Sequence, residues 1–416
     1  MLDYKDKYFK DTFPLWIKIA LLVCACSYVF EGLLRWLLSL INMGFLIYIR
    51  DPLVIIMIVR PVLRFLTGRK VNATGILLWI YFGFLFFYSV FTESIIQVFF
   101  GVKILLLFIL GVAYSRDFAE CAIHWRRVFY IVSFMIFVGL VIDSTLGFPW
   151  RNMVINVGGH EKAIGKTAQV LGERMRHHGF SLAPNPAASY SIIFYLLYSC
   201  SYAKWSFAKL LLLIMTFIAI WLTGIRSILL ALMIISLCDI FRFLPYVWDK
   251  IIVCATTIFV ALGVGLPFIL SFGSVSYSGY IKNLLNSPFA SFAIRIMDTW
   301  PHAFAINKSY LLGGGLGAVG GSQIMFDPWS HLGGGFCDNW AVYAFLIGGI
   351  TPIILFSIVF VQAARVKCTE SYLIPTLSVF IAVYGSMETG FELPGSSFFL
   401  GILLGYVCMR SMQSKR

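Results

Sequence analysis

Three arginines, Arg176, Arg226 and Arg295, lie where polar stretches of the chain meet long apolar runs. A guanidinium is a planar fork of donors that makes bidentate, charge-assisted bonds to phosphate oxygens. Arg176 opens Arg176-His177-His178-Gly179, followed by Pro184-Asn185-Pro186, so a cation and a tight turn stand just before a hydrophobic segment. Arg226 ends the turn Thr223-Gly224-Ile225-Arg226 between two apolar runs. An arginine at the centre of a bilayer costs about 2.5–3.5 kcal/mol, and less at a helix end where it can snorkel. The positions predict an anion site at a membrane surface, with a plain turn arginine as the alternative for Arg226. Arg295 lies in FAIRIMDTWPHAFAI, an amphipathic pattern read as a helix, where a local pair with Asp298 is the alternative role.

Acid–base chemistry points to His331 and Asp338, which bracket the Gly-rich turn HLGGGFCD. Either side chain is a candidate general base for an attacking hydroxyl. Asp338 directly precedes Asn339 at the head of a hydrophobic run, so a helix N-cap is its competing role. Glu388 and Glu392, in METGFELPGSS, are further candidates for the base. Asn339, His178 and Trp300 are candidate substrate contacts, and Trp300, Trp329 and Trp340 are candidates to stack on sugars or to line a headgroup layer. His302 and His331 do not form a metal spacing, so neither metal nor cofactor is expected. The tract LLGGGLGAVGG has no Lys-Ser/Thr after it and no strand before it, which excludes a nucleotide loop.

The elements that hold these residues read as membrane helices. The chain has 416 residues, 60% hydrophobic and 12% charged, against about 25% charged in a soluble domain. A chain inside a bilayer must satisfy its own backbone polar groups, so an all-α fold is expected. Apolar runs fall at about 14–30, 75–92, 98–114, 128–143, 187–201, 209–222, 227–241, 251–270, 339–364, 372–387 and 396–409, each close to a bilayer's thickness. Residues 31–66 hold either one span plus an interfacial helix or two spans. The sum is a single polytopic domain over 1–416 of about twelve transmembrane helices. The net charge of +13 sits mainly in short connectors. Positive connectors mark the cytoplasmic side, which places both termini there. No basic stretch interleaved with aromatics suggests nucleic acid.

Two stretches, 144–186 and 271–338, are too long to be ordinary connections and are expected to be structured extracytoplasmic loops. The first carries Arg151, Lys162, Lys166, Arg174 and Arg176 against Glu161 and Glu173. This outside excess of positive charge runs against the general bias, and suits either an anion site or a solvated amphipathic helix near headgroups. The nine cysteines form no disulfide framework.

These residues and their order resemble the bacterial O-antigen polymerase and O-antigen ligase superfamily of lipid-linked oligosaccharide transferases. Arg176-x-x-Gly179-Phe180 with Pro184-Asn185-Pro186 resembles that family's Arg-x-x-Gly and Asn-Pro-Asn turn into a helix. Thr223-Gly224-Ile225-Arg226-Ser227 resembles its Thr-Gly-Ser-Arg-Gly turn, with Ile in place of Ser. Arg295 to Trp300 followed by Leu311 to Gly317 resembles its Arg, Trp and Leu-Gly-x-Gly run. Asp338-Asn339-Trp340 and Gly348-Gly349-Ile350 resemble its His/Asp-Asn and Gly-Ile pair, with Asp where the ligase branch usually has His.

The resemblance implies a GT-C-like, metal-independent glycosyltransferase in the bacterial inner membrane, with its active site facing the periplasm. The donor would be an oligosaccharide on undecaprenyl diphosphate, and the acceptor a hydroxyl of a second lipid-linked repeat unit. Arg176, Arg226 and Arg295 would hold the diphosphate, and Asp338 or His331 would prepare the acceptor. Other partners would be membrane lipids and a chain-length regulator protein. Asp at 338 favours a polymerase; a ligase is the alternative, and a transporter or flippase ranks third.

Overall fold

The computed structural model describes residues 15–66, 73–121, 125–157, 160–165, 175–200, 206–272, 293–305, 307, 309–321, 337–367, 369–388 and 390–413. The regular elements among the described residues are helices apart from one two-stranded hairpin. Three of its helices are long and apolar enough to cross a membrane: Ile95–Ser115, Arg126–Thr145 and Pro245–Leu270. Leu15–Val29 and Glu31–Leu40, bent by 84° at their junction, add a fourth if the pair is one broken span. Ile80–Thr92, Phe207–Thr223, Ile350–Ala364 and Leu373–Gly385 are shorter apolar helices. In Phe207–Thr223 the exposed stripe is Leu210, Ile214, Phe217 and Trp221, an apolar helical face that suits hydrocarbon better than water.

The chain divides into two compact units, one of residues 1–69 and 113–229, the other of 70–112 and 230–416. The first contains α1 (Leu15–Val29), α2 (Glu31–Leu40), α3 (Arg50–Leu66), α6 (Arg126–Thr145), α7 (Pro184–Cys200) and α8 (Phe207–Thr223). Residues 31–66 thus form two helices joined by the 3-10 turn Gly44–Ile49. Glu31 holds that junction. It accepts from Arg35 Nε at 2.8 Å and from Arg50 Nη1 at 3.0 Å. Arg50 also lies over the Tyr28 ring, 4.0 Å from its centre.

The expectation of an amphipathic helix does not describe the fold of the first loop's described residues. Its residues 153–157 and 160–164 form a hairpin, β1 (Met153–Val157) antiparallel to β2 (His160–Ile164), with Met153 opposite Ile164. Its base is anchored by apolar packing: Trp150 and Ile164 are buried against Leu33, Trp36, Phe148 and Phe180. Phe148 and Trp150 stack with centroids 4.2 Å apart.

The second unit includes α4 (Ala73–Thr92), most of α5 (Ile95–Cys121), α9 (Arg226–Ile240) beyond Leu229, α10 (Pro245–Phe272), α11 (Trp300–Ala305), α12 (Trp340–Gly348), α13 (Ile350–Ala364), α14 (Leu373–Gly385) and α15 (Pro394–Gln413). The run expected to be one span over 339–364 is two helices, broken at Gly349 with φ +68° and ψ −151°. A side chain there would overlap the Leu311 carbonyl. The break frees carbonyls at the end of α12, and the glycine tract supplies their donors. Gly314 N–H donates to Leu346 O at 2.6 Å, Gly315 N–H to Ile347 O at 3.0 Å, and Ile350 N–H returns a bond to Tyr310 O at 3.1 Å. Thr92 Oγ1 donates to Gly314 O at 2.8 Å, and Ser89 Oγ accepts from Leu316 N at 2.6 Å. The glycines are there for close backbone approach, satisfying groups that a bilayer would leave unpaired.

Candidate functional site

In the first unit Arg176 and Arg226 line one groove, with Met175, Ile220, Trp221, Gly224, Ile225 and Leu229, of about 260 Å³. The end of α8 builds it. Gly224 adopts φ +69° as the left-handed residue past the helix, its N–H donating to Ile220 O and Trp221 O at 3.2 Å. A Cβ at Gly224 would meet Arg176 Cγ at 3.2 Å, so the arginine stem lies across the turn where only glycine leaves full room. Arg226 starts the next helix, two residues on, and is exposed. Residues fifty apart in sequence thereby share a wall.

Asp143 fixes the segment that carries Arg176. Its carboxylate is fully buried at the end of α6 and accepts from Arg151 Nη2 at 2.7 Å. Its other oxygen accepts from the His178 and Gly179 backbone N–H groups at 2.9 and 3.1 Å. Arg151 also donates to the Asp143 carbonyl. On the other side of Arg176, His177 N–H donates to Leu222 O at 3.2 Å, stitching the segment to α8. Asp143 was not among the residues singled out from sequence, although a lone carboxylate in the apolar run IFVGLVIDST is a signal that could have found it.

His178 does not reach a substrate-facing surface. It is fully buried, with Nδ1 2.7 Å from Gly179 O and Nε2 3.7 Å from Asp143. Burial pushes its pKa below the usual imidazole range, with Asp143 opposing that shift. It is part of the scaffold of the Arg176 segment rather than a substrate contact.

In the second unit Arg295 belongs to a π-helical turn, Arg295–Thr299, just before α11. Its Nε donates to Asp338 Oδ2 at 3.1 Å and its Nη2 to Glu388 Oε1 at 3.2 Å. Burial works to lower the Arg295 pKa, but Glu388 and Asp338 outweigh it and the net shift is upward. With its side chain only 13% exposed and two carboxylates on it, Arg295 is already neutralised, unlike the phosphate cation expected from sequence. It acts as a clasp joining three segments. The side chain of Asp298, its expected local partner, lies outside the described residues.

Asp338 is not the cap of α12. It sits at φ +43°, one residue outside, and Asn339 does the capping. Asn339 Oδ1 accepts from Ala341 N at 2.7 Å and Val342 N at 3.1 Å. Its Nδ2 donates to Gly263 O and Ser386 O, both at 3.0 Å. All of its amide capacity is used and the residue is fully buried, so it positions the turn and offers nothing to a sugar. Trp300 is likewise buried and donates from Nε1 to Cys337 O at 3.0 Å, which rules out ring stacking on substrate in this conformation. Asp338, with its side chain 31% exposed, keeps access to a ligand.

Glu392 lies beside this cluster. It is half-buried, and one carboxylate oxygen accepts from Gly321 N–H at 2.9 Å. Burial pushes its pKa up to about 7, with Gly321 opposing and Asp338 adding to the shift. His331 and Trp329 lie outside the described residues. No three His, Cys, Asp or Glu side chains among the described residues are placed to hold a metal ion. The chain matches no family model, no curated protein and no solved structure.

Proposed function

We propose that this chain is a metal-independent membrane glycosyltransferase of polymerase type, joining oligosaccharide repeat units carried on undecaprenyl diphosphate at the outer face of a bacterial inner membrane. The observation that carries the reading is the groove shared by Arg176 and Arg226 at the end of an apolar helix. A lipid diphosphate is anionic at its head and hydrocarbon at its tail. It suits two guanidinium groups set beside Trp221, Ile220 and Leu229, which offer an apolar margin. Hydrogen bonds to a charged group are worth about 1.5–3 kcal/mol each. Cations already in place also stabilise the charge that grows on the diphosphate as its bond to the sugar breaks. Arg295 serves in this reading as the clasp that holds Asp338 and Glu388, not as a third phosphate ligand.

Purified protein in vesicles, given lipid-linked repeat unit as the sole substrate, tests the reading. Wild-type protein is expected to lengthen chains, and Arg176→Ala and Arg226→Ala to leave single repeat units on the carrier while staying in the membrane. Movement of the lipid across the bilayer with no lengthening would identify a transporter. Normal chain growth by both variants would remove the groove from the mechanism.

A further inference from the structure

Arg151 belongs to the same unit as the Arg176–Arg226 groove and stands beside that groove without lining it. Its guanidinium has two engaged arms. Nη2 donates to Asp143 Oδ1 at 2.7 Å and to the Asp143 carbonyl. Nη1 donates to Met175 Sδ at 3.7 Å. Met175 is itself a wall of the groove, next in sequence to Arg176, and is exposed. A thioether is a weak acceptor, so a guanidinium N–H that meets only sulfur keeps most of its capacity to bond. Arg151 Nε is buried and has no hydrogen-bond partner among the described residues. The contrast with Arg295 is plain. Arg295 bonds to two carboxylates and its side chain is 13% exposed, whereas Arg151 bonds to one and its side chain is 26% exposed. That one carboxylate is shared with the His178 and Gly179 backbone N–H groups.

We infer that Arg151 is a third cation of this groove, reached when Met175 swings aside, and that it takes the charge that grows on the diphosphate as the sugar leaves. The inference rests on the reading proposed above. Methionine is unbranched and turns about three side-chain bonds, so its sulfur moves at small cost. A phosphate oxygen in its place gives Nη1 a charge-assisted bond, while Nη2 stays on Asp143 and keeps the fork aimed. The chemistry calls for such a group. A diphosphate that links a lipid to a sugar carries one negative charge on each phosphate, which Arg176 and Arg226 match in number. In the transfer the acceptor oxygen bonds to the anomeric carbon as its proton leaves to water. The anomeric C–O bond to phosphate breaks, its electron pair stays on the phosphate oxygen, and the terminal phosphate gains a second charge. A cation that meets only this last charge favours the departing diphosphate over the intact donor. Binding energy used in that way lowers the barrier rather than only tightening the donor.

The test is the affinity of the full chain in nanodiscs for two ligands, undecaprenyl diphosphate and the intact lipid-linked repeat unit. It is run at about pH 8, above the second ionisation of a phosphate monoester at about 6. Wild type is expected to prefer undecaprenyl diphosphate by about 10-fold or more, the size of one hydrogen bond to a charged group. Arg151→Gln is expected to erase that preference. It should weaken undecaprenyl diphosphate by about 10- to 150-fold and the repeat unit by no more than about threefold. Met175→Phe is the second variant, and it carries the test alone if Arg151→Gln fails to fold. It leaves the Arg151–Asp143 pair in place and sets a rigid ring between Arg151 and the groove, so it too should lose the preference. A preference kept in either variant would overturn the inference. So would equal weakening of both ligands, since a residue that merely props the Arg176 segment would affect both alike. Equal wild-type affinity for the two ligands, with Arg176→Ala and Arg226→Ala weakening both, would overturn the inference and leave the groove reading standing. A wild-type protein that binds neither ligand would overturn both.

Discussion

A carboxylate buried in an apolar helix must earn its place by bonds. Asp143 does so with three donors on its two oxygens, and those donors belong to the hairpin base and to the segment behind Arg176. Asp143→Asn keeps the shape but loses the charge opposite Arg151. It is expected to cost about 1.5–3 kcal/mol of stability, the range for hydrogen bonds to charged groups, read as a lower unfolding temperature in detergent. Because the bonds aim Arg176, the donor KM should rise more than kcat falls; a variant with lowered stability and unchanged KM would confine Asp143 to the fold. Glu392 gives a pH dependence of opposite sign to an ordinary paired carboxylate. Its pKa is raised on folding from 4.5 to about 7, so the folded state binds the extra proton. Stability should therefore be highest at acid pH, fall as pH rises from about 4.5, and level off above about 7, with Glu392→Gln removing that slope. At this scale the sequence told which residues carry charge but not which charges are already met. Arg176 and Arg295 look alike as arginines in polar loops, and only the fold shows that Arg176 lines a groove and that Arg295 bonds to Asp338 and Glu388.

Helix ends decide most of what the elements do here. The apolar pattern over 339–364 is continuous, and hydropathy alone has no means of seeing a break at Gly349. The conformation at that residue, φ +68° and ψ −151°, is open essentially to glycine alone. Gly349→Ala should abolish folding or lower the unfolding temperature severely, because the new methyl meets the Leu311 carbonyl. Gly83→Ala is the matched control, inside α4 with nothing within 4 Å of its added methyl. It should be neutral or stabilise by up to about 1 kcal/mol. Equal stability of the two variants would mean that the break is incidental. The tract LLGGGLGAVGG was legible as something other than a nucleotide loop. That its donors serve the carbonyls at the end of α12 was not, because those carbonyls are orphaned only once the helix stops. Asp338 and Asn339 show the same limit: both are good caps by type, and the choice of Asn339 follows from the positive φ of its neighbour.

At the scale of the whole molecule, the all-α class and the apolar helices were readable from composition, because a bilayer imposes length and polarity on any segment that crosses it. The hairpin in the first loop was not, since a short ribbon in a charged stretch has no such constraint. The proposed topology puts the first loop outside and the connector at Phe241–Phe243 inside. A membrane-impermeant thiol reagent should therefore label Met175→Cys in intact cells and Phe243→Cys only after permeabilisation, in a background whose native cysteines have been replaced. Labelling of Phe243→Cys in intact cells would invert the topology.

The central claim is that Arg176 and Arg226 together hold a lipid diphosphate. The affinity of purified protein in nanodiscs for undecaprenyl diphosphate, measured for wild type, Arg176→Ala, Arg226→Ala and the double variant, tests it most directly. Each single change is expected to weaken binding by about 10- to 150-fold, from about 1.5–3 kcal/mol per charged hydrogen bond. The double variant should lose less than the sum, as residues sharing one ligand do. Affinity unchanged in all three variants would contradict the account.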